Sequence, residues 1–169
     1  MEAASEGLGR GSRFTVSLPR QRPHLVSPVR KERAIEARSE TSGAHLLIVE
    51  DDADTREILQ ATLEARGFRV TACESASAAL DVAAKNSVDL IVSDIGMPEI
   101  DGLEMMRQVR RLPKLQSLPT IAVTGYASKK DSESALAAGF NAHVSKPIDP
   151  AELIVMIDDL LKKVAGKQD

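Results

Sequence analysis

From His45 onward, short apolar runs alternate with segments of helical periodicity. Short β-rich runs fall at about 46–49, 68–72, 88–93, 120–123 and 141–145. Between and after them, apolar residues recur at three- and four-residue spacing, which predicts amphipathic helices. Ile58, Leu59, Thr62 and Leu63 share a face of the first helix, with Gly67 as its C-terminal stop. Ala76, Ala79, Leu80 and Ala83 mark the second, Leu103, Met106 and Val109 the third, and Leu153, Ile154, Ile157, Leu160 and Leu161 the fifth. Asp101 with Glu104 and Ser128 with Asp131 each pair an N-cap with an acid three residues on. Asp149-Pro150-Ala151-Glu152 places proline at the first helical position, where its missing N–H costs nothing. Five βα units predict an α/β fold with a doubly wound parallel sheet covered on both faces.

Leu46–Val49 and Leu90–Val92 are almost continuously apolar and should be central strands, whereas Phe68-Arg69-Val70-Thr71 alternates like an edge. This fits the strand order 2-1-3-4-5, with the order reversing beside strand 1. In such a sheet the binding crevice lies at the carboxyl ends of the strands. There the apolar runs end in chemistry: Val49 in Glu50-Asp51, Val92-Ser93 in Asp94, Val123 in Thr124, Ser145 in Lys146-Pro147. Neighbouring strands would gather three carboxylates, a hydroxyl and an ammonium in one pocket. That set suits a hard divalent cation and a transferable phosphoryl group.

Composition narrows the partners. Only 2% of residues are aromatic against 43% hydrophobic, so the core must be aliphatic. Residues 1–43 hold eight Arg or Lys against five acids, and residues 44–169 fourteen against twenty. An acidic main domain argues against nucleic acid as a direct ligand. Cys73, the one cysteine, excludes an internal disulfide and cysteine-based zinc sites. No apolar run reaches membrane-spanning length and no signal peptide opens the chain, which points to a reducing cytoplasm. After the last helix only Ala165–Asp169 remain, too few for a helix-turn-helix output domain. His24 and His45 lie in linker and strand entry and are not catalytic candidates; Asp52 and Asp54 read as helix caps.

Residues 45–164 resemble a response-regulator receiver domain. The resemblance rests on Val49-Glu50-Asp51-Asp52, Ser93-Asp94-Ile95-Gly96-Met97-Pro98-Glu99-Ile100-Asp101-Gly102, Val123-Thr124-Gly125-Tyr126 and Ser145-Lys146-Pro147, four motifs in order, each ending a predicted strand. It implies a flavodoxin-like (βα)5 three-layer sandwich in which Asp94 takes a phosphoryl group from a phosphohistidine donor. By the same resemblance Mg2+ is held by Asp51 and Asp94, by Glu50 through water and by the Gly96 carbonyl. Lys146 neutralises the phosphoryl group, Thr124 donates a hydrogen bond to it, and the Lys146-Pro147 peptide is cis. His143 stands where the family places an aromatic that rotates inward on activation; it serves as that switch or simply faces solvent. Gly96 and Tyr126 occupy positions that tune acyl-phosphate lifetime. The implied partners are a histidine kinase or phosphotransfer histidine domain and a downstream protein that meets the helix-4/strand-5/helix-5 face. The chemistry is then self-directed rather than that of a separate enzyme.

The leading segment differs from the rest. Residues 5–19, with Gly7-Leu8-Gly9-Arg10-Gly11-Ser12 before Arg13-Phe14-Thr15-Val16-Ser17-Leu18-Pro19, resemble the end of a histidine-kinase ATP-binding domain, implying the C-terminal part of a hybrid kinase. Pro19, Pro23, Pro28 and the charged run after them read as a tether. The expected organisation is a disordered or extended remnant and linker over 1–43, a receiver over 44–165 and a tail over 166–169. The alternative function is an Mg2+-dependent phosphatase with an Asp nucleophile, which usually carries a second Asp where this chain has Gly96. A nucleotide-binding module would need a glycine-rich loop after the first strand, and Val49-Glu50-Asp51-Asp52-Ala53-Asp54 offers none.

Overall fold

A computed structural model describes residues 2–5, 12–15, 39–125 and 129–166. Two units separate, Met1–Glu32 and Arg33–Asp169. In the larger unit, strands β1 (His45–Val49), β2 (Arg69–Cys73), β3 (Leu90–Asp94), β4 (Thr120–Thr124) and β5 (Ala142–Ser145) alternate with helices α1 (Ala53–Glu64), α2 (Ala76–Lys85), α3 (Gly102–Arg111), α4 (Lys129–Ala138) and α5 (Pro150–Ala165). The strands form one parallel sheet in the order β2-β1-β3-β4-β5, as the apolar pattern predicts.

Because successive strand residues point to opposite faces, each central strand feeds two cores. Leu47, Val49 and Ile91 pack with Ala76, Met105 and Val109 on the α2–α3–α4 side. Leu46, Ile48, Leu90 and Val92 pack with Leu63, Leu153 and Ile157 on the α1–α5 side. The register sets Val49 beside Ser93, Asp94 beside Val123 and Thr124 beside Ser145. Consequently the polar residues that follow Val49, Ser93, Val123 and Ser145 emerge at one rim. Caps turn the chain sharply there: Asp52 accepts from the Thr55 N–H at 2.8 Å, Asp101 from Glu104 at 2.7 Å and Asp149 from Ala151 at 2.9 Å. Ser128 lies outside the described residues. The Lys146-Pro147 peptide is cis.

Two expectations need correction. Ile58, grouped with the buried face of α1, is 68% exposed, whereas Leu59 and Leu63 are buried. At 100° per residue, a position next to Leu59 sits on the flank of the stripe and reaches solvent. The folded region also begins before residue 44. Ser39 and Gly43 donate backbone N–H groups to the carbonyls of Arg66 and Gly67, and the hydroxyls of Ser39 and Thr41 both donate to Asp158 on α5. Lys162 adds an ion pair with Glu40. In the leading segment, Glu2–Ser5 pairs antiparallel with Ser12–Thr15, Phe14 opposite Ala3. Val16–Leu18 lie outside the described residues.

At the opposite rim the side chains of His45 and Arg110 bond to neutral partners, while the His45 backbone N–H donates to the Asp89 carboxylate at 2.7 Å. His45 Nδ1 donates to the Ser87 carbonyl at 2.7 Å, and its Nε2 lies 2.8 Å from the Thr71 hydroxyl. Arg110, at the end of α3, donates to the carbonyls of Leu115, Leu118 and Gly139, to Thr120 Oγ1 and to Asn141 Oδ1. One side chain thereby ties α3, its following loop, the start of β4 and the turn into β5. Burial holds its guanidinium pKa below the ordinary arginine range. Gly139 (φ +110°) closes α4 where a Cβ would lie 2.8 Å from Arg110 Cγ. Replacing Arg110 with Met leaves several half-buried acceptors without a donor and should lower stability by roughly 1–3 kcal/mol. Urea unfolding checks this; an unchanged midpoint would mean that water replaces the guanidinium at no cost.

Candidate functional site

Glu50 and Asp51 follow β1 directly, and the Asp52 cap starts α1 at the next residue, so both acids stay at the rim. Asp94 is the last residue of β3 and is only 7% exposed. Its position depends on Gly102, the first residue of α3: the Gly102 N–H donates to the Ile95 carbonyl at 3.0 Å, and a Cβ there would lie 2.2 Å from the Asp94 carbonyl oxygen. Only glycine lets α3 seat this closely. Thr124 ends β4 and is buried, and its carbonyl accepts from the Lys146 N–H at 2.8 Å, linking the ends of β4 and β5.

Lys146 Nζ joins two of the acids. It lies 2.7 Å from Asp94 Oδ2 and 2.9 Å from Glu50 Oε2. The other Asp94 oxygen accepts from the Gly96 N–H at 3.0 Å. Glu50, Asp51 and Asp94 each place a carboxylate oxygen within 4.8 Å of the other two. This all-oxygen donor set suits a hard cation such as Mg2+. A cavity of about 330 Å³ opens over Asp94, lined by Gly96, Leu103, Thr124, Asp131 and Lys146.

Burial raises the Glu50 pKa from its ordinary value, the charge of Asp94 adds to this, and the bond to Lys146 offsets only part of it. At Lys146 burial acts to lower the pKa, but the bonds to Asp94 and Glu50 outweigh it and hold the ammonium above its ordinary value. The two ends of one ion pair therefore differ: Lys146 gains from it, while Glu50 still bears a net burial cost because it is only 2% exposed.

Of the residues singled out in the sequence, Glu50, Asp51 and Asp94 form the acidic cluster, and Gly96, Thr124 and Lys146 line the cavity with Asp94. His143 does not line it. The residue is exposed, and its Nε2 lies 2.8 Å from Ser132 Oγ on α4. Tyr126 lies outside the described residues. The sequence reading quoted Gly102 only as the end of a motif, without the close approach of α3 that requires it, and missed Arg56, which donates to the carbonyls of Glu50 and Asp51.

Comparison with known proteins gives one family. The model of the response regulator receiver domain matches residues 46–158. An uncharacterized 14.6 kDa protein of Leptolyngbya boryana is 46% identical over 112 residues, which cover 66% of this chain and 86% of that protein. The transcriptional activator protein PfeR of Pseudomonas aeruginosa is 37% identical over 70% of this chain, but the match spans only 38% of PfeR. The solved signal receiver domain of a signal transduction histidine kinase from Syntrophus aciditrophicus superposes with a TM-score of 0.67 at 30% identity, over 72% of this chain and 92% of that one.

Lys146→Met removes the cation from two half-enclosed carboxylates and should destabilise the protein near neutral pH. Because the Glu50 pKa is already raised in the folded state, the burden of its ionised form applies above that pKa and is relieved as pH falls through it. The destabilisation should therefore shrink on acidification, with Glu50 titrating at still higher pH in the variant. Carboxyl NMR titration with parallel unfolding curves reads both; a pH-independent loss would assign the Lys146 contribution to packing alone.

Proposed function

The chain belongs to the response regulator receiver domain family, and from that premise we propose that Asp94 is its phospho-acceptor, fed by a phosphohistidine of a histidine kinase or phosphotransfer domain. The observation that carries this reading is the placement of Asp94: a half-enclosed carboxylate at a strand end, held by Lys146 and opening onto a cavity. An Asp94 oxygen attacks phosphorus as the P–N bond to the donor imidazole breaks, leaving an acyl phosphate and a free histidine. Lys146 already touches Asp94 and meets the charge on the arriving phosphoryl oxygens, while the Thr124 hydroxyl donates to another of them. We assign Asp51, Asp94, Gly96 through its carbonyl, and Glu50 through water as the groups that would hold Mg2+. When bound, the ion supplies charge neutralisation on the phosphoryl oxygens.

The chemistry is self-directed, transfer onto Asp94 and its later hydrolysis. The phosphatase alternative is not favoured, since Gly96 offers no second acid two residues after Asp94. Output follows from the new dianion. Thr124 moves toward it and the space behind admits the His143 ring, changing the α4–β5–α5 face that a downstream protein reads. Loss of the His143–Ser132 contact would accompany that movement. We further read the leading segment as the end of a kinase domain in a hybrid protein working in the cytoplasm. Residues 5–19 and the pairing of Glu2–Ser5 with Ser12–Thr15 support this.

With Mg2+ and acetyl phosphate or phosphoramidate, intact mass should rise by one phosphoryl unit, and Asp94→Asn should abolish the gain. Labelling of Asp94→Asn at the wild-type rate would sink the assignment. For the switch, Thr124→Ala should remove most of the chemical-shift change over residues 129–146 that beryllofluoride induces in wild type. If the variant gives the wild-type pattern, the signal leaves Asp94 by another route.

A further inference from the structure

Lys146 fixes two of the three carboxylates, and Asp51 has no such partner. Glu50 and Asp94 each touch the ammonium, whereas no hydrogen bond or ion pair to the Asp51 side chain occurs among the described residues, and that side chain is exposed. What holds Asp51 is its backbone. Arg56, in the second turn of α1, folds its guanidinium back over the end of β1, and Nη1 donates to the Glu50 carbonyl at 2.8 Å and the Asp51 carbonyl at 3.1 Å. The same residue donates its backbone N–H to the Asp52 carbonyl at 3.0 Å. Three consecutive carbonyls of the acidic turn are thereby anchored to one residue. Arg56 has no carboxylate partner among the described residues, so its contacts serve the backbone rather than a salt bridge.

We propose that Arg56 is a positioning residue for the cation site: by holding the carbonyls of Glu50 and Asp51 it fixes where the Asp51 carboxylate stands relative to Asp94. This rests on the reading of Glu50, Asp51 and Asp94 as the Mg2+ ligands. The group does not touch the ion or the phosphoryl donor; it acts through the backbone of a ligand, as outer partners of metal ligands do. Electrostatics alone predicts the opposite sign, because a nearby guanidinium repels a divalent cation and its removal would tighten binding.

Calorimetric titration of the full chain with MgCl2 separates the two. Arg56→Met should weaken Mg2+ binding by about tenfold, and the Mg2+ concentration giving half-maximal labelling of Asp94 should shift by the same factor. Equal or tighter binding by Arg56→Met overturns the proposal. If Arg56→Met fails to fold by circular dichroism, Arg56→Lys decides. It keeps the charge but ends about one bond short of Nη1, so positioning predicts binding weakened about threefold, and unchanged binding overturns the proposal. Asp51→Ala serves as the control and should lose most of the Mg2+ binding; if it binds Mg2+ like wild type, or wild type takes up neither Mg2+ nor a phosphoryl group, the reading of the site fails. If wild type does both and the Arg56 variants bind Mg2+ like it, only the role of Arg56 fails.

Discussion

Lys146 stands 2.7 Å from Asp94 and 2.9 Å from Glu50, and the rim of the sheet is arranged around that contact. Two carboxylates 4 Å apart repel by about 4 kcal/mol at an effective dielectric near 20, and here three share a span of 4.8 Å. Strand order makes the arrangement possible. With β1 and β3 adjacent at the centre of the sheet, Glu50 and Asp94 emerge side by side, and β5 delivers the ammonium over the top of β4. The cis Lys146-Pro147 peptide lies at this exit from β5. One ammonium offsets the repulsion among three carboxylates only in part, and at Glu50 burial, with the charge of Asp94 added, keeps the pKa raised despite the bond to Lys146. A site left with surplus negative charge is one into which a divalent cation, and then a phosphoryl group, can be drawn.

The surroundings of Asp94 combine rigidity on one side with room on the other. Below it, α3 presses on the backbone through Gly102, and Gly96 holds one carboxylate oxygen. Above it, a cavity runs toward Thr124 and α4. A carboxylate fixed from behind and open in front is accessible from the cavity, which continues beside Thr124. His143, on the outer surface, is tied to Ser132 of α4.

Much of this was legible in the sequence because parallel sheets leave plain marks. Buried strands read as unbroken aliphatic runs, and each run here stops at a polar residue that the register carries to the same rim. The caps at Asp52, Asp101 and Asp149 were equally visible, since short acceptor side chains before helices have few other uses. What stayed hidden was contact that depends on tertiary approach. Nothing in the order of residues marks Arg110 as the tie among four segments, or Arg56 as a clamp on carbonyls, because their acceptors are backbone atoms common to every residue. Ile58 was misassigned because a helical stripe has flanks as well as a centre. Ser39 and Thr41 read as linker because their partner, Asp158, lies more than a hundred residues away.

The two rims of the sheet differ in kind. At one, the side chains of His45 and Arg110 are satisfied by carbonyls, hydroxyls and an amide oxygen, and among the described residues no carboxylate contacts either side chain. At the other, ionised groups are crowded and only partly compensated. Thermal hardening and reactivity therefore draw on separate sets of residues. Replacements around the His45–Arg110 rim can raise or lower the melting point while leaving the acidic rim free to drift in lifetime and partner choice. A scaffold divided in this way tolerates divergence at its signalling end, and it gives an engineer a rim at which to stabilise the domain without retuning its chemistry.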